Sequence, residues 1–376
     1  MNVLMTTGIY FPDWVMRETG YSGQNSGFGK NRSFMNYEFY LLAFITSVFT
    51  SLLFTPVVGS LAIRFNAIDK PSGRKIHRKE IPLWGGLAIF AGIFGTIFIL
   101  KHANPDFRNM LYGNSGYILK LLEGITVGAV VITLIGAVDD LRSVAPTTKL
   151  LGQIIASMLV IQYGIKIVGF RLPFMSSYFD MPLYIGIAIT VLWILVFINS
   201  INLIDGIDGL STGVMAIATL VFFIITFHQM YIQTEPLVVD RLKLAAVMAI
   251  VLCGSCVGFL KFNFPPAKIF LGDSGSLLLG FMAGVITITG ILKVAAAVTL
   301  VIPLIIFGFP IVDAVFSFFR RIFSRKSFMT ADKDHLHHRL LYRKGWTAKK
   351  VVLRIYMITF VLGAMAILIT LYNVSD

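Results

Sequence analysis

Ten nearly unbroken apolar runs, separated by short polar gaps, follow one another between Tyr37 and Leu371. They are Tyr37–Ile63, Leu83–Leu100, Ile118–Val138, Leu150–Val168, Pro182–Ile198, Leu210–Phe227, Leu242–Phe262, Ser276–Leu292, Ala297–Phe319 and Val351–Leu371. Most approach the ~20 residues that a helix needs to cross the hydrocarbon of a bilayer. A membrane β-barrel is excluded, because its strands alternate in short segments rather than running apolar continuously. The pattern predicts an all-α, polytopic integral membrane protein with about ten transmembrane helices, forming one multi-span domain over residues 37–376. Composition agrees: 56% of residues are hydrophobic, 14% are charged and the mean hydropathy is +0.81. A soluble domain carries about 25% charged residues.

Residues 1–36 differ from the rest. The Gly/Ser/Asn-rich stretch Gly20–Ser33 lacks the basic flank, apolar core and cleavage site of a signal peptide. It is expected to be a disordered external tail, with Met35 as an alternative natural start.

Most of the 32 Lys and Arg lie in or beside the gaps after the first, third, fifth, seventh and ninth runs. The positive-inside rule makes those gaps cytoplasmic and puts both termini outside. The net charge of +13 is then a topology signal and an attraction to anionic lipid. It is not a nucleic-acid footprint, and no nucleic acid is expected as a partner. The two cysteines, Cys253 and Cys256, fall inside the seventh run beside Gly254, Ser255 and Gly258. Small residues there suggest close helix packing rather than redox chemistry.

The same cytoplasmic gaps hold the chain's conspicuous acids, amides and histidines. Asp139 and Asp140 end the third run, with Lys149 ten residues beyond Asp139. Adjacent carboxylates at a membrane edge repel each other, and a Mg²⁺ ion shared with substrate phosphates would relieve this. A solvated helix end with Arg142 as counter-charge accounts for the pair equally well. The fifth gap reads Asn199-Ser-Ile-Asn202-Leu-Ile-Asp205-Gly-Ile-Asp208-Gly-Leu210. A step of three lags by ~60° on a helix of 3.6 residues per turn. One continuous helix would therefore face Asn199 and Asp208 apart. Gly206 and Gly209 suggest a break that gathers Asn202, Asp205 and Asp208 around one pocket. A simple Asx-turn explains the Asp-Gly pairs but not the two Asn.

Phe270-Leu-Gly-Asp273-Ser-Gly-Ser276 opens the eighth run. Asp273 is either the helix cap or a metal ligand beside an anion held by the helix N-terminus. Asp334-His335-Leu-His337-His338-Arg339 lies in the long basic gap after the ninth run, where diphosphate contact or acid/base work fits better than zinc. In the first gap Lys70, Arg74 and His77 precede Gly85 and Gly86, a shaped loop suited to a phosphate. Asp313 in the ninth run is an intramembrane carboxylate, with function and a structural hydrogen bond both open. Arg339–Arg354, with Trp346, reads as an interfacial helix or anchor.

Taken with their order, these segments resemble a known family. The Asp-Asp-Leu at Asp139, the Asn-Ser-Ile-Asn-Leu-Ile-Asp-Gly-Ile-Asp-Gly-Leu at Asn199, the Phe-Leu-Gly-Asp-Ser-Gly-Ser at Phe270 and the Asp-His-Leu-His-His-Arg-Leu at Asp334 are similar to the motifs of the polyprenyl-phosphate N-acetylhexosamine-1-phosphate transferases. The resemblance covers nearly the whole chain after Tyr37. Leu336 interrupts the histidines, which resembles the branch that starts O-antigen, common antigen or teichoic acid synthesis. The phospho-N-acetylmuramoyl-pentapeptide transferases of peptidoglycan synthesis carry three consecutive His instead, and they stand as the alternative.

The resemblance implies transfer of N-acetylhexosamine-1-phosphate, by default N-acetylglucosamine-1-phosphate, from a UDP-sugar to undecaprenyl phosphate with release of UMP. It implies Mg²⁺, or Mn²⁺ in its place, a site facing the cytoplasm in the inner (plasma) membrane, and a homodimer. By motif position Asp139 orients or deprotonates the lipid phosphate, and Asp140 supports the metal and pyrophosphate geometry. Asp273 leads the metal set, joined by Asp208 and Asp140. Asp208 is also catalytic, with His335, His337 and His338. Lys70, Arg74, His77, Lys149, Asn199, Asn202, Asp205 and Arg339 bind substrate. A secondary transporter would place its carboxylates near the membrane midplane and show paired half-repeats. Here they sit at run ends and no repeat is evident.

Overall fold

The computed structural model describes residues 36–70, 80–113, 116–170, 179–290, 298–323, 340 and 345–372. The expected N-terminal tail lies outside them. So do Arg74, His77, His335, His337, His338 and Arg339.

Twelve helices make up the described fold. They are α1 (Tyr37–Arg64), α2 (Gly85–Ala103), α3 (Pro105–Tyr112), α4 (Tyr117–Leu141), α5 (Pro146–Gln162), α6 (Leu183–Ile204), α7 (Leu210–Ile232), α8 (Pro236–Asn263), α9 (Gly272–Gly290), α10 (Val298–Ile306), α11 (Gly308–Phe323) and α12 (Ala348–Tyr372). Eight of these, α1, α2, α4, α6, α7, α8, α9 and α12, are long and apolar enough to cross a membrane. The protein is an all-α, multi-pass membrane protein.

Two of the ten runs emerge differently. The fourth run, expected over Leu150–Val168, becomes the 17-residue α5, which starts earlier at Pro146 and stops at Gln162. Gly164 takes φ +98°. The N–H groups of Gly164 and Ile165 return to the Ile161 and Val160 carbonyls, a Schellman ending that apolar sequence alone does not announce. The ninth run divides into α10 and α11 at Phe307. Pro310 has no N–H for the Ile306 carbonyl, so the helix cannot run straight through.

Local sequence explains several starts. Pro105, Pro146 and Pro236 each open a helix, where a missing N–H does no harm. Asn104 caps α3 by accepting from the Phe107 N–H at 2.8 Å. Two short hairpins were not expected. β1 (Ile68–Asp69) pairs antiparallel with β2 (Ile81–Pro82), and β3 (Gly169–Phe170) with β4 (Phe179–Asp180).

α8 and α9 form the centre. α8 packs on α1, α2, α7 and α9, while α9 packs on α2, α4, α6 and α8. Glycines set how closely these helices approach. A Cβ on Gly258 would lie 2.5 Å from the Val48 carbonyl oxygen, and one on Gly280 would lie 2.4 Å from the Ile198 Cα. Cys253 and Cys256 are buried free thiols in the packed α8. The buried apolar side chains form one contiguous cluster from Phe39 to Ala366.

Candidate active site

Four of the polar gaps meet at one end of this bundle. The segment before α2 docks on the start of α9 through backbone bonds. The Phe270 N–H donates to the Pro82 carbonyl at 2.9 Å, Gly85 N–H to the Phe270 carbonyl at 3.0 Å, and Gly86 N–H to the Leu271 carbonyl at 3.1 Å. The Trp84 indole N–H reaches the Ala137 carbonyl on α4 at 3.0 Å. Gly86 and Gly275 permit this contact: a Cβ on Gly86 would lie 2.2 Å from the Gly275 nitrogen. The gap at Phe270 is thus brought against the first gap by main chain, and the gap at Asp139 by the rigid Trp84 indole.

Asp139 and Asp140 end the same helix and do different things. One Asp140 oxygen accepts the Asp273 N–H at 2.7 Å and the other accepts the Ser274 N–H at 3.2 Å. A carboxylate from α4 therefore caps α9, satisfying two donors that the helix itself leaves open. Gly272, at φ +71°, leaves room for it. A Cβ there would lie 2.5 Å from an Asp140 oxygen. The anion at this helix start is thus Asp140, and Asp273 is not its cap.

Asp139 turns to Lys149. Its Oδ1 accepts the Val144 N–H at 2.6 Å, and its Oδ2 accepts from the Lys149 ammonium at 2.9 Å. Lys149 also donates to Asp273 Oδ2 at 2.6 Å. The other Asp273 oxygen accepts from the Asn202 amide at 3.0 Å, and that amide also reaches Ser276 Oγ at 2.8 Å. One ammonium and one amide therefore link the ends of α4, α5, α6 and α9 through Asp273.

The fifth gap breaks as the glycines suggest. α6 ends at Ile204 and α7 begins at Leu210, with Gly209 at φ +72°. Asn199, still on α6, is exposed and donates to Gln153 Oε1 at 2.9 Å. It ties α6 to α5 and does not bond to the Asp273 group. Asp205 Oδ1 accepts the Ser211 hydroxyl at 2.5 Å. Burial pushes the Asp205 carboxyl well above the usual carboxylate range. The Ser211 bond pulls the other way, and the fields of Asp273, Asp140 and Asp208 add to the rise. Asp208 Oδ2 accepts the Ala267 N–H at 3.0 Å, which holds the loop between α8 and α9. Lys70 is exposed just beyond β1, and Asp313 is buried in α11.

Three residues central to this geometry escaped sequence reasoning. Asn263, buried at the end of α8, accepts the Gly209 N–H at 3.0 Å and the Thr212 hydroxyl at 3.1 Å. It also donates to the Ile269 carbonyl at 3.0 Å. An amide closing an apolar run is the same signal that Asn199 and Asn202 gave. Ser276 had no signal beyond its place in the motif. Tyr356 on α12 donates to the Gly209 carbonyl at 2.5 Å, and nothing in its apolar surroundings marks it.

The cluster holds five carboxylates, Asp139, Asp140, Asp205, Asp208 and Asp273, with Lys149 as the ammonium bonded among them. Such an excess of negative charge in a partly buried place calls for a further cation. Among the described residues no group of three or more His, Cys, Asp or Glu forms a ready metal cage. Asp140 and Asp208 spend oxygens on main-chain N–H groups, whereas both Asp273 oxygens meet only side chains. That donor set fits a hard divalent ion that takes one or two carboxylates and completes its shell with water and phosphate oxygens. It does not fit an all-protein cage.

Comparison with known proteins agrees with this chemistry. Residues 122–291 match glycosyl transferase family 4, a stretch running from within α4 to the end of α9 and containing all five carboxylates. The probable undecaprenyl-phosphate N-acetylglucosaminyl 1-phosphate transferase of Bacillus subtilis (strain 168) is 35% identical over 329 residues, covering 88% of this chain and 84% of that protein. The decaprenyl-phosphate N-acetylglucosaminephosphotransferase of Mycobacterium leprae (strain TN) is 31% identical, over 83% of this chain and 79% of its own length. The phospho-N-acetylmuramoyl-pentapeptide-transferase of Mycobacteroides abscessus is 28% identical, over 83% and 91% respectively. The chain belongs to glycosyl transferase family 4 and is a membrane-embedded phosphosugar transferase of that family.

Proposed function

We propose that this transferase moves N-acetylglucosamine-1-phosphate from its UDP-sugar to undecaprenyl phosphate, releasing UMP. The reaction takes place at the cytoplasmic face of the plasma (inner) membrane, as the first membrane step of a cell-surface glycan. The observation that carries the reading is the Asp139–Lys149–Asp273 bridge set among Asp140, Asp205 and Asp208 at the end of apolar helices. Two anionic substrates, one soluble and one lipid-bound, need such a site at a membrane edge, with cations to hold them.

In this reading an oxygen of the lipid phosphate attacks the phosphorus that bears the sugar. A new phosphoanhydride forms, and the bond from that phosphorus to the bridging oxygen breaks. UMP leaves with the bridging oxygen and its electron pair. One anhydride replaces another, and the attacking phosphate is already an anion near neutral pH. Direct in-line attack therefore needs positioning and charge stabilisation rather than a covalent enzyme intermediate. Lys149 is the cation within reach of both Asp139 and Asp273, and it can turn to a phosphate oxygen while staying near them. Asp139 orients the lipid phosphate. Asp140 keeps α9, and hence Asp273, in register by capping the helix. Asn202 and the turn from Asp205 to Asp208 face the nucleotide side.

Mg²⁺, or Mn²⁺ in its place, would be held by Asp273, with Asp208 and Asp140 close by, and would supply charge neutralisation of the diphosphate. Lys70, Arg74, His77, His335, His337, His338 and Arg339 belong to the same proposal as phosphate and sugar contacts from the two flanking gaps. The exposed apolar face of α1 leaves room for a second copy in a homodimer. Purified protein given UDP-N-acetylglucosamine should release UMP only when undecaprenyl phosphate and Mg²⁺ are both present. Release without the lipid would refute the reading. A panel of UDP-sugars that includes the muramoyl-pentapeptide donor would settle the sugar, and turnover of that donor alone would favour the peptidoglycan alternative.

A further inference from the structure

α12 opens with a basic turn and a half. Lys349, Lys350 and Arg354 fall within six residues, and no Asp or Glu occurs between Leu340 and Tyr372. Among the described residues none of the three is paired with a carboxylate. The first turn of a helix carries the positive end of its dipole and favours acids. Lysines there repel both the dipole and one another, and an external anion would relieve that repulsion.

The same turns border a groove of about 330 Å³ lined by Thr347, Lys349, Lys350, Leu353, Arg354 and Met357. Its chemistry changes along the helix. The cations stand at the start, and Leu353 and Met357 lie exposed beside and beyond them. Met357 is roughly 12 Å along the axis from Lys349 at 1.5 Å per residue. Trp346 precedes the groove's first lining residue in the chain, with the Arg354 guanidinium 3.9 Å from its ring centre and the Lys350 ammonium 5.2 Å away. An aromatic ring at a helix end with cations on it is the usual furniture of a membrane–water boundary.

We propose that this groove binds an anionic phospholipid of the surrounding bilayer. Its phosphate lies against Lys349, Lys350 and Arg354, and an acyl chain runs over Leu353 and Met357. A free phosphate would use the cations but leave the apolar floor uncovered. The acceptor lipid of the proposed reaction fits less well, because Lys350, Leu353, Arg354 and Met357 lie on the outer side of α12, with Lys349 at its edge, 5.9 Å from the Phe264 ring. The other side, with Val351, Val352 and Ile355, is buried, and Tyr356 reaches from it to Gly209. The carboxylate cluster is on that inner side.

Native mass spectrometry of the full chain, released from nanodiscs of mixed phosphatidylglycerol and phosphatidylcholine, tests this. The wild type should retain phosphatidylglycerol over phosphatidylcholine. Lys349→Gln, Lys350→Gln and Arg354→Gln should each weaken retention about fivefold, and the triple variant on the order of a hundredfold. Lys101→Gln with Lys120→Gln, away from the groove, should retain it like the wild type. Leu353→Ser with Met357→Ser should weaken the long-chain lipid and not a short-chain analogue. All of these positions are exposed or half-buried, and matching elution on size exclusion checks the fold. Unchanged phosphatidylglycerol preference in the triple variant overturns the proposal. So does full competition by inorganic phosphate, which would make the site a phosphate site. Displacement by undecaprenyl phosphate, with a raised KM for that lipid in the triple variant, overturns it in favour of an acceptor site.

Discussion

The two ends of the helix bundle are built from similar residues and differ in what their charged groups bond to. At the end holding Asp273, side chains bond across large separations in sequence. Asp140 caps a helix that starts 132 residues later at Gly272, Lys149 joins Asp139 to Asp273, and Tyr356 reaches Gly209. At the opposite end Asn104 caps its own helix and Lys243 pairs with Asp240 three residues away. Any inter-span segment must be polar. The opposite end also has long-range contacts, Tyr40 to Met230 and the Ile167 N–H to Thr190, and these are neutral. Carboxylates join distant helices at the end where they are in excess. A membrane protein's loops therefore say little by being polar and much by what they bond to.

The comparison breaks most sharply at Asp273. Asp273→Asn keeps the shape and the Asn202 contact but removes the charge facing Lys149. UMP release should fall by about 10²–10³-fold, the usual loss when one group stabilising transition-state charge is removed. The thermal midpoint in detergent should move by only a few degrees. Turnover like the wild type would show that the cluster is structural.

A subtler contrast lies between neighbours. Asp140 faces main-chain donors, while Asp139 faces an ammonium and one loop N–H. Asp140→Ala should therefore cost about 1–2 kcal/mol of stability, the scale of a lost helix cap. Asp139→Ala should cost less, since Lys149 retains Asp273. Both should lose activity. Thermal unfolding of the two variants side by side checks this, and an equal or reversed order would mean that Asp140 is not holding α9 in place.

Much of this was legible because the signals were long or dense. Runs near twenty residues gave the helices, and the crowding of Asp and Asn at run ends gave four segments that the structure joins. What could not be read depended on partners distant in the chain. Asn199 and Asn202 look alike in sequence, yet three residues of helix rotate one toward Gln153 on α5 and the other toward Asp273 on α9. Whether Asp273 capped its own helix could not be decided from residues 270–276, because the cap comes from Asp140. The ends of α5 and the break at Phe307 were hidden in apolar sequence, where hydropathy is blind to Gly164 and registers Pro310 only as one residue. Tyr356 carried no mark at all, since a tyrosine near the start of a span is ordinary until its hydroxyl is seen on Gly209.

The smallest expected effect comes from the far end and bears on the comparison from the other side. Lys243 and Asp240, 3.0 Å apart, sit three residues apart on α8. The helix itself brings them together, so their contact fixes nothing beyond the turn they share. Such pairs contribute on the order of 0.3–0.5 kcal/mol. Lys243→Gln should leave the thermal midpoint almost unchanged and UMP release within about twofold of the wild type, because no element of the carboxylate cluster is positioned through it. A large loss of activity without a loss of stability would carry more weight than its size suggests. It would mean that polar groups at this end reach the chemistry through α8, whose other end holds Asn263 against Gly209, and that the two ends of the bundle act as one device.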